Sequence, residues 1–146
     1  MFMSVFENPP DLAIKDLLAR VRTIAVVGLS PKRERPSHQV AAAMQGFGYR
    51  IIPVRPGVTE ILGEKAYPEL SQVPEKINLV DVFLSPALVD PIVDACIALK
   101  LPALWLQDGV INVAAAQRAR DAGLWVVMNR CVWRDYRRLL GGFDPR

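Results

Sequence analysis

The sequence predicts an α/β fold in which helices cover both faces of a five-stranded parallel sheet. Three observations support this. Five short apolar runs rich in β-branched residues recur along the chain, and helical patterns separate most of them. The runs are apolar throughout rather than alternating, which is typical of strands buried on both faces. A length of 146 residues, 51% of them hydrophobic, suits one domain spanning residues 1–146.

The first half of the chain predicts two helices and two strands. A helix follows Pro9-Pro10-Asp11, and the apolar run 23–28 predicts a strand that ends at Gly28. Residues 29–36 form a polar, basic loop, after which Ser37 is the predicted N-cap of a second helix. The run 49–54 predicts the second strand.

The second half continues the alternation. Ser85-Pro86 is a helix-start signal, although Pro91 favours a kink or a later start, and Asn112 is the expected cap of the next helix. Trp105 and Trp125 lie in strands and are predicted core residues. Strands are predicted at 79–84, 103–107 and 124–128, with helices between them and a closing helix at 132–140.

Alternating strands and helices of this kind predict a doubly wound sheet. We expect the strand order 3-2-1-4-5, with the flavodoxin-like order 2-1-3-4-5 as the alternative. In either order, ligands bind beyond the carboxyl ends of the strands, where the strand order reverses. The loops at 29–36, 55–57, 84–86 and 107–110 are therefore the predicted binding loops.

Composition argues against several function classes. The formal charge is only +3 and the basic residues are dispersed, so we expect no nucleic-acid partner. No apolar run is long enough to cross a membrane, and the start of the chain lacks a signal-peptide pattern, so we expect a cytoplasmic protein. One histidine, His38, and two scattered cysteines cannot supply a closed zinc site.

The loop after the first strand predicts an anion site. It lacks the glycine-rich pattern of dinucleotide-binding loops, since residues 28–33 keep only the first glycine, and the Walker A pattern is also absent. Hydroxyls and cations instead lead into a helix start, where free N–H groups attract phosphate. A solvated surface loop is the alternative. The residues concerned are Ser30, Lys32, Arg33, Arg35 and Ser37.

Arg55 directly follows the second strand, where doubly wound enzymes sense the ribose of a nucleotide. A cation here favours a phosphorylated ribose, as in NADP or coenzyme A, over NAD; the alternative is a surface arginine at a turn. His38 either touches a ligand phosphate or packs beside the loop. Asp81 lies mid-strand and receives no catalytic role. Cys96 is expected to be a core residue, and Cys131 is expected to be an unreactive packing residue, with a reactive thiol near the carboxyl edge as the alternative.

An ordered series of motifs then resembles the small bacterial and archaeal CoA-binding-domain proteins. The resemblance covers roughly residues 12 to 141. These proteins are similar to the N-terminal CoA-binding domain of the succinyl-CoA synthetase α-subunit. The matching motifs are Gly28-Leu29-Ser30, Arg35-Pro36-Ser37, residues 49–54, residues 62–68, residues 80–83, Trp105-Leu106-Gln107 with Gly109-Val110, and residues 122–131.

The resemblance implies a Rossmann-like domain that binds coenzyme A. Ser30, Lys32, Arg35 and Ser37 would hold the CoA phosphates, Arg55 would lie near the nucleotide, and residues 83–85 would line the pantetheine path. The full set of expected cofactor-binding residues is Gly28, Ser30, Lys32, Arg35, Ser37, His38, Arg55, Phe83, Leu84, Ser85, Gln107 and Gly109.

The function expected from the sequence is therefore non-catalytic binding of coenzyme A or acyl-CoA. The synthetase acts through a phosphohistidine in a second domain, which we do not expect here. Two alternatives stay open: an NADP-linked oxidoreductase, and a CoA-binding subunit that completes a larger acyl-CoA enzyme.

Overall fold

The computed structural model describes residues 6–141. Helices and strands alternate along the chain, as predicted, and two short 3₁₀ turns lie at Leu70–Gln72 and Pro86–Leu88. The elements are α1 Asp11–Arg20, β1 Thr23–Val27, α2 Pro36–Gly46, β2 Arg50–Val54, β3 Glu60–Ile61, β4 Glu64–Lys65, β5 Leu79–Val82, α3 Val89–Ala98, β6 Ala103–Leu106, α4 Val113–Asp121, β7 Trp125–Met128 and α5 Val132–Leu140.

A five-stranded parallel sheet forms the centre of the fold, which confirms the Rossmann-like class. The sheet order is β2-β1-β5-β6-β7. In terms of the five predicted strands this is 2-1-3-4-5, so the expected order 3-2-1-4-5 is wrong and the alternative is correct.

The physical reason for the different order lies in the segment between β2 and β5. It contains only the two-residue strands β3 and β4, which pair with each other. A single parallel bridge between Val54 and Tyr67 covers the outer side of β2. Prolines and glycines interrupt this segment and leave no run long enough for a full edge strand. Tyr67 nevertheless hydrogen-bonds to Pro53 and Arg55 on this side of β2, and β5 pairs instead with the free side of β1.

Two apolar layers cover the sheet. Helices α3 and α4 pack on one face, where Val80 and Val82 are fully buried. Helices α1, α2 and α5 pack on the other face around the fully buried Trp105. Cys96 is also fully buried. Because successive side chains of a strand point to opposite faces, both layers need apolar residues, which explains the continuous apolar runs.

The edge strand β7 corrects one core prediction. Trp125 begins this strand and is 44% exposed, because nothing pairs with β7 on its outer side within the described residues. The side chain of Asn8 covers part of this edge. Its amide donates to the Met128 carbonyl at 3.0 Å, and its Oδ1 accepts from the Met128 N–H at 2.7 Å.

The helix starts partly follow the sequence signals. Asn112 caps α4 by accepting from the Ala115 N–H at 3.1 Å. Pro91 lies in the first turn of α3, which begins at Val89 and not at Pro86. The predicted cap of α2 is wrong: the helix begins at Pro36, and Ser37 lies inside its first turn. The Ser37 hydroxyl is committed to the preceding loop, as described below.

Candidate functional site

A cleft of about 540 Å³ opens at the carboxyl edge of the sheet. The loops after β1, β2, β5 and β6 form its walls. The structure thus brings together eight of the predicted site residues: Gly28, Ser30, Lys32, Arg35, Ser37, Arg55, Phe83 and Leu84. The remaining lining residues are Pro31, Pro36, Asp108 and Val110, which belong to the predicted binding loops 29–36 and 107–110 but not to the set of expected cofactor-binding residues.

Gly28 lets the loops after β1 and β5 approach each other. Its φ is +83°, and a Cβ there would lie 2.4 Å from the Phe83 carbonyl oxygen and 2.9 Å from Leu84 Cδ2. The Phe83 N–H also donates to the Val27 carbonyl at 2.9 Å. Only glycine fits this conformation and this contact together. The wall of the cleft therefore depends on this residue.

Short hydrogen bonds brace the loop between β1 and α2. The Ser30 N–H donates to Ser37 Oγ at 3.0 Å, and the Lys32 N–H donates to Ser30 Oγ at 3.1 Å. His38 Nδ1 lies 2.9 Å from the Ser30 carbonyl oxygen. Since a carbonyl only accepts, Nδ1 donates the hydrogen of this bond. Both serine hydroxyls accept here and so keep their own protons to donate.

His38 therefore has a different place from the one expected. It does not line the cleft, and it fastens the loop from behind. The sequence signal for a ligand contact was only its closeness to the basic residues. The geometry favours the alternative that His38 packs beside the loop.

Three cations face the cleft without a carboxylate partner. Across residues 6–141, no acidic group lies within 4.0 Å of the charged nitrogens of Lys32, Arg35 or Arg55. The first turn of α2 also contains no acidic residue. The positive end of the helix dipole and the three side chains are thus left to attract an anion. Several negative charges can be accommodated at this end of the cleft.

Arg55 is held at the junction of two clefts. Its backbone N–H donates to the Tyr67 carbonyl at 2.8 Å, and its Nη1 makes a long contact of 3.4 Å with the Leu29 carbonyl. The second cleft measures about 690 Å³ and shares Gly28, Arg55, Phe83 and Leu84 with the first. Its other walls are mainly apolar, with one carboxylate, Glu69, and one hydroxyl, Ser71. The apolar lining residues are Val27, Val54, Pro56, Pro68, Leu70, Pro91, Ile92 and Ala95. An apolar, flat group could lie here beside the Arg55 guanidinium.

Three further expected site residues lie outside the first cleft. Ser85 is exposed beyond it. Gln107 is 3% exposed, and its Oε1 accepts from the Val132 N–H at 3.1 Å, so it caps the start of α5. The Gly109 N–H donates to Asn129 Oδ1 at 2.8 Å. The geometry gives Gln107 and Gly109 roles in holding the loops together.

Asp108 is the acidic residue of the cleft wall, and it is neutralised. Arg134 binds both of its carboxylate oxygens at 2.8 Å. This hydrogen bonding holds the pKa of the Asp108 carboxyl below its usual range. The carboxylate is therefore charged but paired, which limits its repulsion of an anionic ligand.

Two other kinds of site receive no support. Among residues 6–141, no group of three or more His, Cys, Asp or Glu side chains is arranged to hold a metal ion. No helix in that part of the chain is long and apolar enough to span a membrane.

Comparisons with known proteins identify the domain. The chain is 38% identical to the uncharacterized protein YneT of Bacillus subtilis over 126 residues, which cover 86% of this chain and 93% of YneT. A solved structure of a hypothetical protein from Pyrococcus horikoshii is 37% identical, with a TM-score of 0.89, and the match covers 97% of this chain and 99% of that one.

A larger enzyme contains a related segment. The ADP-forming 4-hydroxybutyrate–CoA ligase of Nitrosopumilus maritimus is 29% identical over 101 residues, which are 68% of this chain but only 14% of the ligase. The family model described as CoA binding domain matches residues 22–137, a range that includes every loop of the two clefts. The chain therefore belongs to the CoA-binding-domain family.

Proposed function

We propose that this protein binds coenzyme A across the two adjoining clefts without transforming it. The observation that carries the proposal is the placement of Lys32, Arg35 and Arg55, which have no carboxylate partner within residues 6–141, beside a helix N-terminus and next to a mainly apolar cleft. Coenzyme A has complementary chemistry: a pyrophosphate, a phosphorylated ribose, a flat adenine ring and an uncharged pantetheine arm. Membership of the CoA-binding-domain family supports the same ligand.

The charges suggest how the ligand would lie. Lys32, Arg35 and the start of α2 would receive the pyrophosphate, because these groups lie at one end of the first cleft. Arg55 would receive the ribose phosphate, since it borders both clefts. The adenine ring would then enter the apolar second cleft. The pantetheine arm would follow Phe83 and Leu84 toward Val110.

Titration calorimetry with coenzyme A and with NAD tests the proposal. We expect coenzyme A to bind more tightly, because NAD lacks the ribose phosphate. The loop after β1 also lacks the second and third glycines of the dinucleotide-binding pattern, which would favour NAD. Native mass spectrometry of the purified protein should show a bound mass that matches coenzyme A. Equal or tighter binding of NAD would contradict the proposal.

Arg55→Ala tests the placement of the ribose phosphate. A hydrogen bond to a charged group contributes about 1.5–3 kcal/mol, so coenzyme A should bind roughly 10- to 100-fold more weakly. Dephospho-CoA lacks this phosphate. It should bind the unaltered protein weakly, and the substitution should scarcely change its affinity.

Arg33→Ala is the matched control, since Arg33 is an exposed cation of the same loop that does not line either cleft. It should reduce both affinities only slightly. If Arg55→Ala weakens both ligands equally, Arg55 contacts the pyrophosphate instead. If it weakens neither, Arg55 is no ligand contact.

Binding without catalysis is the second half of the proposal. His38, the one histidine of the sequence, is engaged through Nδ1 behind the loop. It is not placed to carry a phosphoryl group across the cleft. We therefore expect the purified chain to form no acyl-CoA from a carboxylic acid, coenzyme A and a nucleoside triphosphate. Turnover above that of a heat-inactivated sample would show this half to be wrong.

A further inference from the structure

Three exposed apolar side chains lie close in sequence to residues that line the cleft. Leu88 is 53% exposed, Ile111 is 49% exposed and Val113 is 41% exposed. We call these three side chains the apolar shelf. They lie on the segments that follow β5 and β6, the same segments that supply Leu84 and Val110 to the cleft. Large apolar side chains grouped in the open commonly mark a binding surface.

Asn112 holds the two halves of the shelf together. Its side-chain amide donates to the Pro86 carbonyl at 3.2 Å and lies 3.4 Å from Asp90 Oδ2. Its Oδ1 caps α4 through the Ala115 N–H. The Leu88 segment and the Ile111 segment are therefore fixed to each other. A ligand group would meet a preformed surface, which lowers the ordering cost of binding.

The charges around the shelf are already paired. Asp90 binds Arg118 at 3.0 Å, and Asp108 binds Arg134 at 2.8 Å. The free cations Lys32, Arg35 and Arg55 line the cleft and are not on the shelf segments. The shelf thus offers no counter-charge to a carboxylate, but it offers apolar area to a hydrocarbon chain.

We infer that the shelf receives the acyl chain of an acyl-CoA whose acyl group is uncharged and of medium length. This inference rests on the proposed function, because the phosphates must occupy the cationic end before the pantetheine arm can direct its thioester past Val110. Leu88 follows the cleft residue Leu84 by four positions, and Ile111 directly follows the cleft residue Val110. A stable protein interface buries about 800 Å² of surface on each partner, which is more than three side chains can supply. An acyl chain is therefore the better-matched occupant.

Calorimetry with coenzyme A, acetyl-CoA and octanoyl-CoA tests the inference. Octanoyl-CoA should bind roughly 10- to 50-fold more tightly than coenzyme A, because part of its chain leaves water. Acetyl-CoA should resemble coenzyme A, and octanoate alone should show no measurable binding.

Ile111→Ser should remove most of the octanoyl advantage and leave the affinity for coenzyme A unchanged. The matched control is Leu99→Ser, which replaces a 40% exposed leucine at the far end of α3 and should preserve the advantage. Circular dichroism of both variants should match that of the unaltered protein.

The outcomes separate the inference from the proposed function. If coenzyme A binds but octanoyl-CoA binds no more tightly, the acyl-chain inference is overturned and the proposed function stands. If neither ligand binds, both are overturned. An octanoyl advantage that survives Ile111→Ser overturns the assignment to the shelf. Self-association that Ile111→Ser abolishes would identify a second copy of the chain as the occupant and also overturn the inference.

Discussion

Replacing Asp81 by asparagine should stabilise the protein increasingly as the pH rises. Asp81 is 1% exposed and lies in β5 between Val26 and Trp105 of the neighbouring strands. Its Oδ1 has no hydrogen-bond partner within the described part of the chain. Desolvation by burial raises the pKa of this carboxyl well above its usual value of 3.8. The folded protein therefore holds a proton that the unfolded chain releases.

The sign and slope follow from proton linkage. Below pH 3.8, Asp81 is protonated in both the folded and the unfolded chain, and its contribution to stability is fully present. As the pH rises toward the folded-state pKa, only the unfolded chain loses the proton, and the free energy of unfolding falls by about 1.4 kcal/mol per pH unit. Asparagine does not titrate. The free energy of unfolding of Asp81→Asn, relative to the unaltered protein, should rise with that slope.

Urea unfolding followed by tryptophan fluorescence from pH 4 to pH 8 measures the difference. Asp135→Asn is the matched control, because Asp135 is also 1% exposed but its Oδ1 binds Arg130 at 3.0 Å and Arg138 at 3.4 Å. Its substitution breaks charged hydrogen bonds and should destabilise the protein at neutral pH. A stability difference for Asp81→Asn that stays constant with pH, or that falls, would refute the reasoning.

Two further predictions concern the cleft wall and the thiols. Gly28→Ala should destabilise the protein by more than the roughly 1–2 kcal/mol of a left-handed conformation, since its Cβ also meets the Phe83 carbonyl. Gly57 has a φ of +78° and open space around it, so Gly57→Ala should lower the free energy of unfolding only by the cost of the left-handed conformation. Thermal or urea unfolding of both variants measures the difference. In thiol labelling of the native protein, Cys96 should stay unmodified because burial raises its pKa to about 12, while the partly exposed Cys131 reacts. Cys131→Ser should abolish the labelling; modification of Cys96 before unfolding would contradict this.

The fold class could be predicted because burial on both faces of a parallel sheet leaves a local signature. Each apolar run, such as residues 79–82, forms a strand of the parallel sheet. The strand order could not be predicted in the same way. It depends on whether the segment after β2 can form an edge strand, and the single bridge between Val54 and Tyr67 shows how little of one it forms. The strand order thus depends on whether β5 pairs with the outer side of β2 or with the free side of β1, and no local sequence pattern encodes this choice.

The first cleft was largely predictable because parallel strands deliver their carboxyl-end loops to one edge of the sheet. Lys32, Arg35 and Arg55 could be selected from chain position and charge alone. The second cleft was missed, since its walls at Leu70 and Ile92 carry no chemical signal and lie far apart in the sequence. Ligand contact by His38 and Gln107 stays a prediction, and their observed hydrogen bonds show that a polar side chain near a binding loop can also serve the loop itself.

The loop between β1 and α2 offers a phosphate group cationic side chains instead of a closely approaching backbone. In glycine-rich dinucleotide loops the absence of side chains lets the backbone approach a pyrophosphate. Here only Gly28 of that pattern remains, and the contacts of Ser30 with Ser37 and His38 brace a longer loop instead. The longer loop presents Lys32 and Arg35 to the cleft. Such an arrangement favours ligands that carry more phosphate charge than NAD, which is the physical reason for the proposed preference for coenzyme A.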